Sequence, residues 1–152
     1  MGAASDGGSV PEPSPCGETP HAPEFEVGTG EDCFETLAEN AVVPRVGGPQ
    51  GGFHVWGAFL CAGCPNKVLV HVGLKLPGED AWVGEPSERV AEVRSAQFAG
   101  LIALLPGTTA NFSDSLPGGT EVRLLVEVKA IDGVLLHSGE RTVTLGELEL
   151  WK

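Results

Sequence analysis

Apolar and polar positions alternate with a period of two through most of this chain. In Lys67-Val68-Leu69-Val70-His71-Val72-Gly73-Leu74-Lys75-Leu76, Val68, Val70, Val72, Leu74 and Leu76 share one face, while Leu69, His71 and Lys75 share the other. Val122, Leu124, Val126 and Val128 oppose Glu121, Arg123, Glu127 and Lys129 in the same way. Such alternation marks half-buried strands. Shorter stretches repeat it at Phe25-Glu26-Val27, at Val42-Val43 before Pro44, and at Arg141-Thr142-Val143-Thr144-Leu145, after which Leu148, Leu150 and Trp151 close the chain. Phe53 to Cys61 is apolar on both faces and reads as a core strand, with Trp56 as a core anchor beside His54, Ala58 and Leu60.

Turn chemistry separates these runs. Gly47-Gly48-Pro49-Gln50-Gly51-Gly52 precedes the Phe53 strand, and Asp132-Gly133 between apolar segments signals a hairpin. Residues 87–97 fit a helix starting at Ser87 or a strand running on into Phe98 to Ile102; strands suit the rest of the pattern better. About seven strands, with no helices between them, predict an all-β fold, an immunoglobulin-like antiparallel β-sandwich. Residues 1–22 are rich in Pro, Gly and Ser with few large apolar groups, so ordering them would lose backbone entropy with little burial in return. They are expected to be a disordered leader or tether, with the folded domain spanning residues 23–152.

Composition agrees with strands and turns, since the 152 residues include 22 Gly and 12 Pro but one Met and no Tyr. Nine Lys plus Arg face 21 acids, a formal charge of −12, which leaves no basic surface to displace counterions from a phosphate backbone. Nucleic acid and anionic lipid surfaces are therefore not expected partners. The longest apolar stretch, Phe98 to Leu105, is far shorter than the roughly 20 residues of a spanning helix, so no transmembrane segment is expected.

Cys16, Cys33, Cys61 and Cys64 are an even set in a short Gly/Pro-rich chain, which favours disulfides in an oxidising compartment. Met1 to Asp6 has neither the charged nor the apolar region of a signal peptide, and the leader composition suits the mature start of an exported protein. The expected location is extracytoplasmic: periplasmic, tethered to an outer membrane, or secreted.

Val27-Gly28-Thr29-Gly30-Glu31, Gly48-Pro49-Gln50-Gly51-Gly52-Phe53-His54-Val55-Trp56, and the Asp132-Gly133 hairpin before Thr142-Val143-Thr144-Leu145 resemble segments of uncharacterised exported, lipoprotein-type β-sandwich domains of large-genome Gram-negative bacteria. The resemblance spans most of residues 25–146. It implies an envelope location, with a lipid anchor on the native precursor, and carries no catalytic residue.

Candidate chemistry is sparse. Cys61-Ala62-Gly63-Cys64 has the spacing of a redox disulfide or half a zinc knuckle, but it lies between strands, with no helix N-terminus to stabilise a thiolate and no second close cysteine pair. A structural disulfide is the third reading. His54 lies seven residues before Cys61, and His71 seven after Cys64. Seven strand residues span about 23 Å and an odd offset reverses the face, so a joint His/Cys metal centre fails on geometry. If the two strands paired through the Ala62-Gly63 turn, His54 and His71 would stand opposite each other as a copper or zinc site; in an immunoglobulin-like topology they would separate.

Glu24, Glu26, Glu31, Asp32 and Glu35 lack the ligand spacing of a calcium loop, and Asn111-Phe112-Ser113 reads as a loop. Hydrolase elbow, phosphate loop and zinc-protease helix are all absent from the sequence. The expected function is a non-enzymatic extracytoplasmic binding or interaction module, its Gly47 to Gly52 loop offered to a protein or other envelope component. The alternative is a metal-binding or thiol-redox protein using Cys61/Cys64 or His54/His71.

Overall fold

The computed structural model describes residue 16 and residues 21–47, 52–108 and 116–150. Among them the chain is all-β: eight strands, β1 (Glu26–Gly28), β2 (Ala41–Gly47), β3 (Gly52–Leu60), β4 (Lys67–Lys75), β5 (Ser87–Glu92), β6 (Gln97–Thr108), β7 (Glu121–Lys129) and β8 (Leu135–Leu150), with no helix. They form one mixed sheet in the order β1-β3-β2-β8-β7-β4-β5, with β6 paired to β3. Most neighbours are antiparallel, whereas β2 runs parallel to β8. Strands thus run through 87–92 and 97–108, as the alternation favoured. The final strand begins at Leu135, upstream of the expected Arg141.

Local chemistry explains where the ladders break. Pro44 lacks an N–H, and the β2–β8 register shifts between Val43 and Arg45 around it. Arg45 then bonds across the irregularity, its Nε donating to Gly146 O at 2.7 Å and its Nη1 to Leu116 O at 3.1 Å. In β6 the register against β3 shifts at Gly100, which has φ 85° and donates its N–H to Gly30 O at 2.9 Å. A left-handed residue at such a bulge favours glycine. Between β5 and β6, Ser95 and Ala96 both take positive φ while Arg94 and Gln97 exchange backbone bonds, the geometry of a two-residue hairpin.

The core takes the alternating faces of β4 and β7: Val68, Val70, Val72, Leu74, Val122, Leu124, Val126 and Val128 are all essentially inaccessible. From β3 it takes Phe53, Val55 and Phe59, and from β6 Leu101, Ala103 and Leu105. Gly57 faces this interior, because a methyl group placed on it would lie 3.4 Å from Leu101 and 3.6 Å from both Leu124 and Val72. The backbone of β3 therefore passes over the side chains of β4 and β7.

Trp56 departs from the expectation. It is only partly buried, lies outside the core cluster, and stands beside His54 with ring centroids 4.3 Å apart at 76°. With both faces of β3 apolar, the alternation could not show which face turned inward; packing against Leu101 and Leu124 decides for the side that includes Gly57.

Candidate functional site

His54 and His71 are not brought together. The strands that hold them do not pair: β3 bonds to β1, β2 and β6, and β4 to β5 and β7. A two-histidine metal site is thereby corrected, because the turn after Cys61 carries the chain away from a direct β3–β4 hairpin. His54 is buried beside Trp56, and burial pushes its imidazole below the ordinary value of 6.5, since the charged form would lose its hydration. His71 lies on the outward face of β4, edge-on to Trp82 at 5.5 Å, with Nδ1 3.4 Å from Glu127 Oε1. Trp82 also covers Gly73 and carries Lys75 Nζ 4.5 Å from its ring centroid.

The cysteines form two bridges, Cys16–Cys33 and Cys61–Cys64. The first fastens residue 16 to the segment that follows β1; the rest of the leader, apart from residues 21–22, lies outside the described residues. So do Gly48, Pro49, Gln50 and Gly51 of the expected interaction loop, of which Gly47 and Gly52 close β2 and open β3. The Asn111–Ser113 pattern lies outside them as well.

The second bridge has a neighbour that the sequence did not suggest. Cys61 Sγ, Cys64 Sγ and a ring nitrogen of His137 all lie within 4.8 Å of one another. Cys61 sits in the interior at 1% exposure, its N–H donating to Ala96 O at 2.8 Å, while Ala62 N–H donates to Pro23 O at 3.1 Å. Cys64 is half-buried, beyond the exposed Ala62-Gly63 turn. His137 arrives from β8, where the register against β7 shifts so that Leu136 is extra and His137 stands opposite the buried Val128. Directly opposed residues share a face, so the bulge turns the imidazole to the core side.

Phe25 fixes that ring. It stacks on His137 at 5.2 Å and 5°, lies 5.8 Å from Phe59, and covers Gly139 so closely that an added methyl would come within 3.2 Å of it. A shallow groove runs beside it, lined by Glu24, Glu26, His137, Glu140 and Arg141 among others. Two sulfurs and an imidazole can exchange disulfides, or hold a metal ion when reduced. No spacing rule links positions 61, 64 and 137; only the fold joins them.

Just beyond His137, the β7–β8 hairpin closes through Ala130 N–H to Val134 O and Gly133 N–H to Ala130 O, both 2.8 Å, with Gly133 at φ 98°. Its tip carries Ile131, Val134 and Leu135 at 57%, 59% and 53% exposure. Among the described residues no helix is long and apolar enough to cross a membrane. No family model, curated protein or solved structure matches this chain.

Proposed function

We propose that the chain is a non-enzymatic interaction module of an extracytoplasmic compartment, built as an immunoglobulin-like sandwich, and that it grips a protein partner with the tip of its β7–β8 hairpin. The observation that carries the reading is the grouping of Ile131, Val134, Leu135 and Leu136, four exposed apolar side chains on one short hairpin. Exposed apolar residues scattered singly need no explanation, but a contiguous group marks a contact surface.

The strand pairings support the sandwich. β6, β3 and β1 form one group and β5, β4, β7 and β8 another, with β2 bonding to both β3 and β8. The connections from β3 to β4, from β5 to β6 and from β6 to β7 pass between the groups, the Greek-key order of that architecture. In its variable-type members, the loops equivalent to the β3–β4 turn and the β7–β8 hairpin lie at one end and form the binding surface. Here the Cys61–Cys64 bridge after β3 and His137 at the start of β8 lie within 4.8 Å of each other, which places these two loops side by side.

Two disulfides support an oxidising compartment, and an envelope location follows the resemblance to lipoprotein-type domains. The partner would present an apolar recess with a basic rim, complementing a surface of formal charge −12. A photo-crosslinking residue in place of Val134, used in the native cell, is expected to give one discrete protein adduct. That adduct should vanish with Leu135→Glu, and a crosslinker at Glu79, in the β4–β5 connection, should not give it. No adduct from position 134, or the same adducts from both positions, would refute the hairpin as the contact.

A further inference from the structure

We infer that Cys61, Cys64 and His137 form a redox-gated binding site for a thiophilic d10 cation, zinc(II) or copper(I), shut while the cysteines are bridged and open when they are reduced. Two thiolates and one imidazole are a soft ligand set that favours these ions over magnesium, calcium or manganese. In a zinc site with Zn–S near 2.3 Å and Zn–N near 2.0 Å, two sulfurs and one nitrogen stand roughly 3.5–3.8 Å apart. The three donors already lie within 4.8 Å of one another, so they converge on one ion with small side-chain rotations.

The surroundings hold two of the ligands in place. Cys61 is fixed by burial and by its backbone bond to Ala96, and His137 by the bulge at Leu136 and the Phe25 stack. Cys64, past the exposed turn, is the ligand free to swing. Glu24 and Glu26 line the adjoining groove and favour cations on its β1 side, while on its β8 side Glu140 is paired with Arg123 at 3.3 Å and Arg141 lies beside it. The other bridge provides an internal contrast: among the described residues, the three-donor grouping occurs at Cys61/Cys64 and not at Cys16/Cys33.

Opening the site requires a dithiol reductant. It gives two electrons and two protons to the Cys61–Cys64 bond and becomes a disulfide, leaving two protein thiols. Zinc(II) then displaces both thiol protons and keeps its oxidation state. Closing runs in reverse: the ion leaves, and the thiolates pass two electrons to an oxidised disulfide. Bound metal therefore protects the pair from reoxidation, and the bridge excludes metal.

The test uses the full chain, reduced with dithiothreitol, desalted without oxygen and titrated with zinc(II) against a chromophoric chelator. Cobalt(II) serves as a spectroscopic substitute, and copper(I) is titrated in parallel. One equivalent is expected to bind, with thiolate-to-cobalt charge-transfer absorption, and the Cys16→Ser/Cys33→Ser variant should bind equally well. Cys64→Ser should abolish the charge-transfer band. Loss of a partner that merely orients a ligand weakens metal sites 10–100-fold, so His137→Gln, which removes a ligand, is expected to weaken binding by at least about tenfold. Circular dichroism of each variant separates loss of a ligand from loss of fold. Binding that survives His137→Gln unchanged, that follows Cys16 and Cys33, or that is missing from the reduced folded wild type would overturn the assignment.

Discussion

Two glycines on facing strands should respond to the same substitution with opposite signs. At Gly57 in β3 an added methyl would meet its nearest neighbours at 3.4 and 3.6 Å, ordinary contact distances. Gly57→Ala then buries a methyl group, about 0.8 kcal/mol, and restricts the unfolded chain, about 0.4–1 kcal/mol. Allowing for a small adjustment of Leu101, at the near end of ordinary contact, a net gain of about 1 kcal/mol is expected. At Gly73 in β4 the same methyl would lie 2.8 Å from two ring atoms of Trp82 and 3.2 Å from Pro86. Trp82 cannot simply withdraw, because Val83 N–H is bonded to Leu74 O at 2.8 Å and Lys75 rests over the ring. Overpacking of this kind costs about 1–3 kcal/mol, and displacing the ring forfeits a cation–π contact of about 0.5–1 kcal/mol. Gly73→Ala should therefore lose about 1–2 kcal/mol, leaving the two variants about 2–3 kcal/mol apart. Urea melts followed by circular dichroism and tryptophan emission give both values, provided the slopes match the wild type. A Gly57→Ala variant less stable than wild type would refute the packing of β3 over β4 and β7, and a neutral Gly73→Ala would refute the seating of Trp82 on the outer face of β4.

Acid should destabilise the protein through His54. The unfolded chain takes up a proton near pH 6.5 and the native imidazole only at lower pH, so in that interval the unfolded state binds more protons and stability falls as pH drops. Urea midpoints from pH 7.5 to 5 should show this slope in the wild type and a shallower one in His54→Phe; parallel profiles would count against it. Arg45→Leu should cost about 2 kcal/mol or more by removing the bonds to Gly146 and Leu116, whereas Arg45→Lys, lacking the fork, should recover only part. Thermal melts of the three proteins check the order, and an Arg45→Leu variant as stable as wild type would contradict it.

The strands that could be read from the sequence were those with one wet face. β4 and β7 alternate cleanly because their outward residues, such as Lys75, Arg123 and Glu127, remain at least partly hydrated. β3 carries large apolar groups on both sides, so its inward parity, and with it the place of Trp56, depended on packing against other strands. The β5–β6 turn was hidden for a different reason. Ser95 and Ala96 adopt positive φ without the Asn-Gly or Asp-Gly signature that made the Asp132-Gly133 hairpin visible. The CxxC spacing stood out at once, but His137 did not: its approach depends on the β7–β8 register and on the Leu136 bulge, neither of which leaves a local pattern. The hairpin was visible in Asp132-Gly133, but the exposure of Val134, Leu135 and Leu136 was not, since apolar residues beside such a turn do not show whether they pack or project.

The claim that this is a module of an oxidising compartment is tested most directly by the state of its cysteines in the native cell. Free thiols would be trapped with an alkylating agent at the moment of lysis, and the chain digested without reduction. A linked pair of peptides containing Cys16 and Cys33 is expected, with a Cys61–Cys64 peptide lighter than its dithiol form by two hydrogens. Recovery of all four cysteines as alkylated thiols would rule out an oxidising compartment.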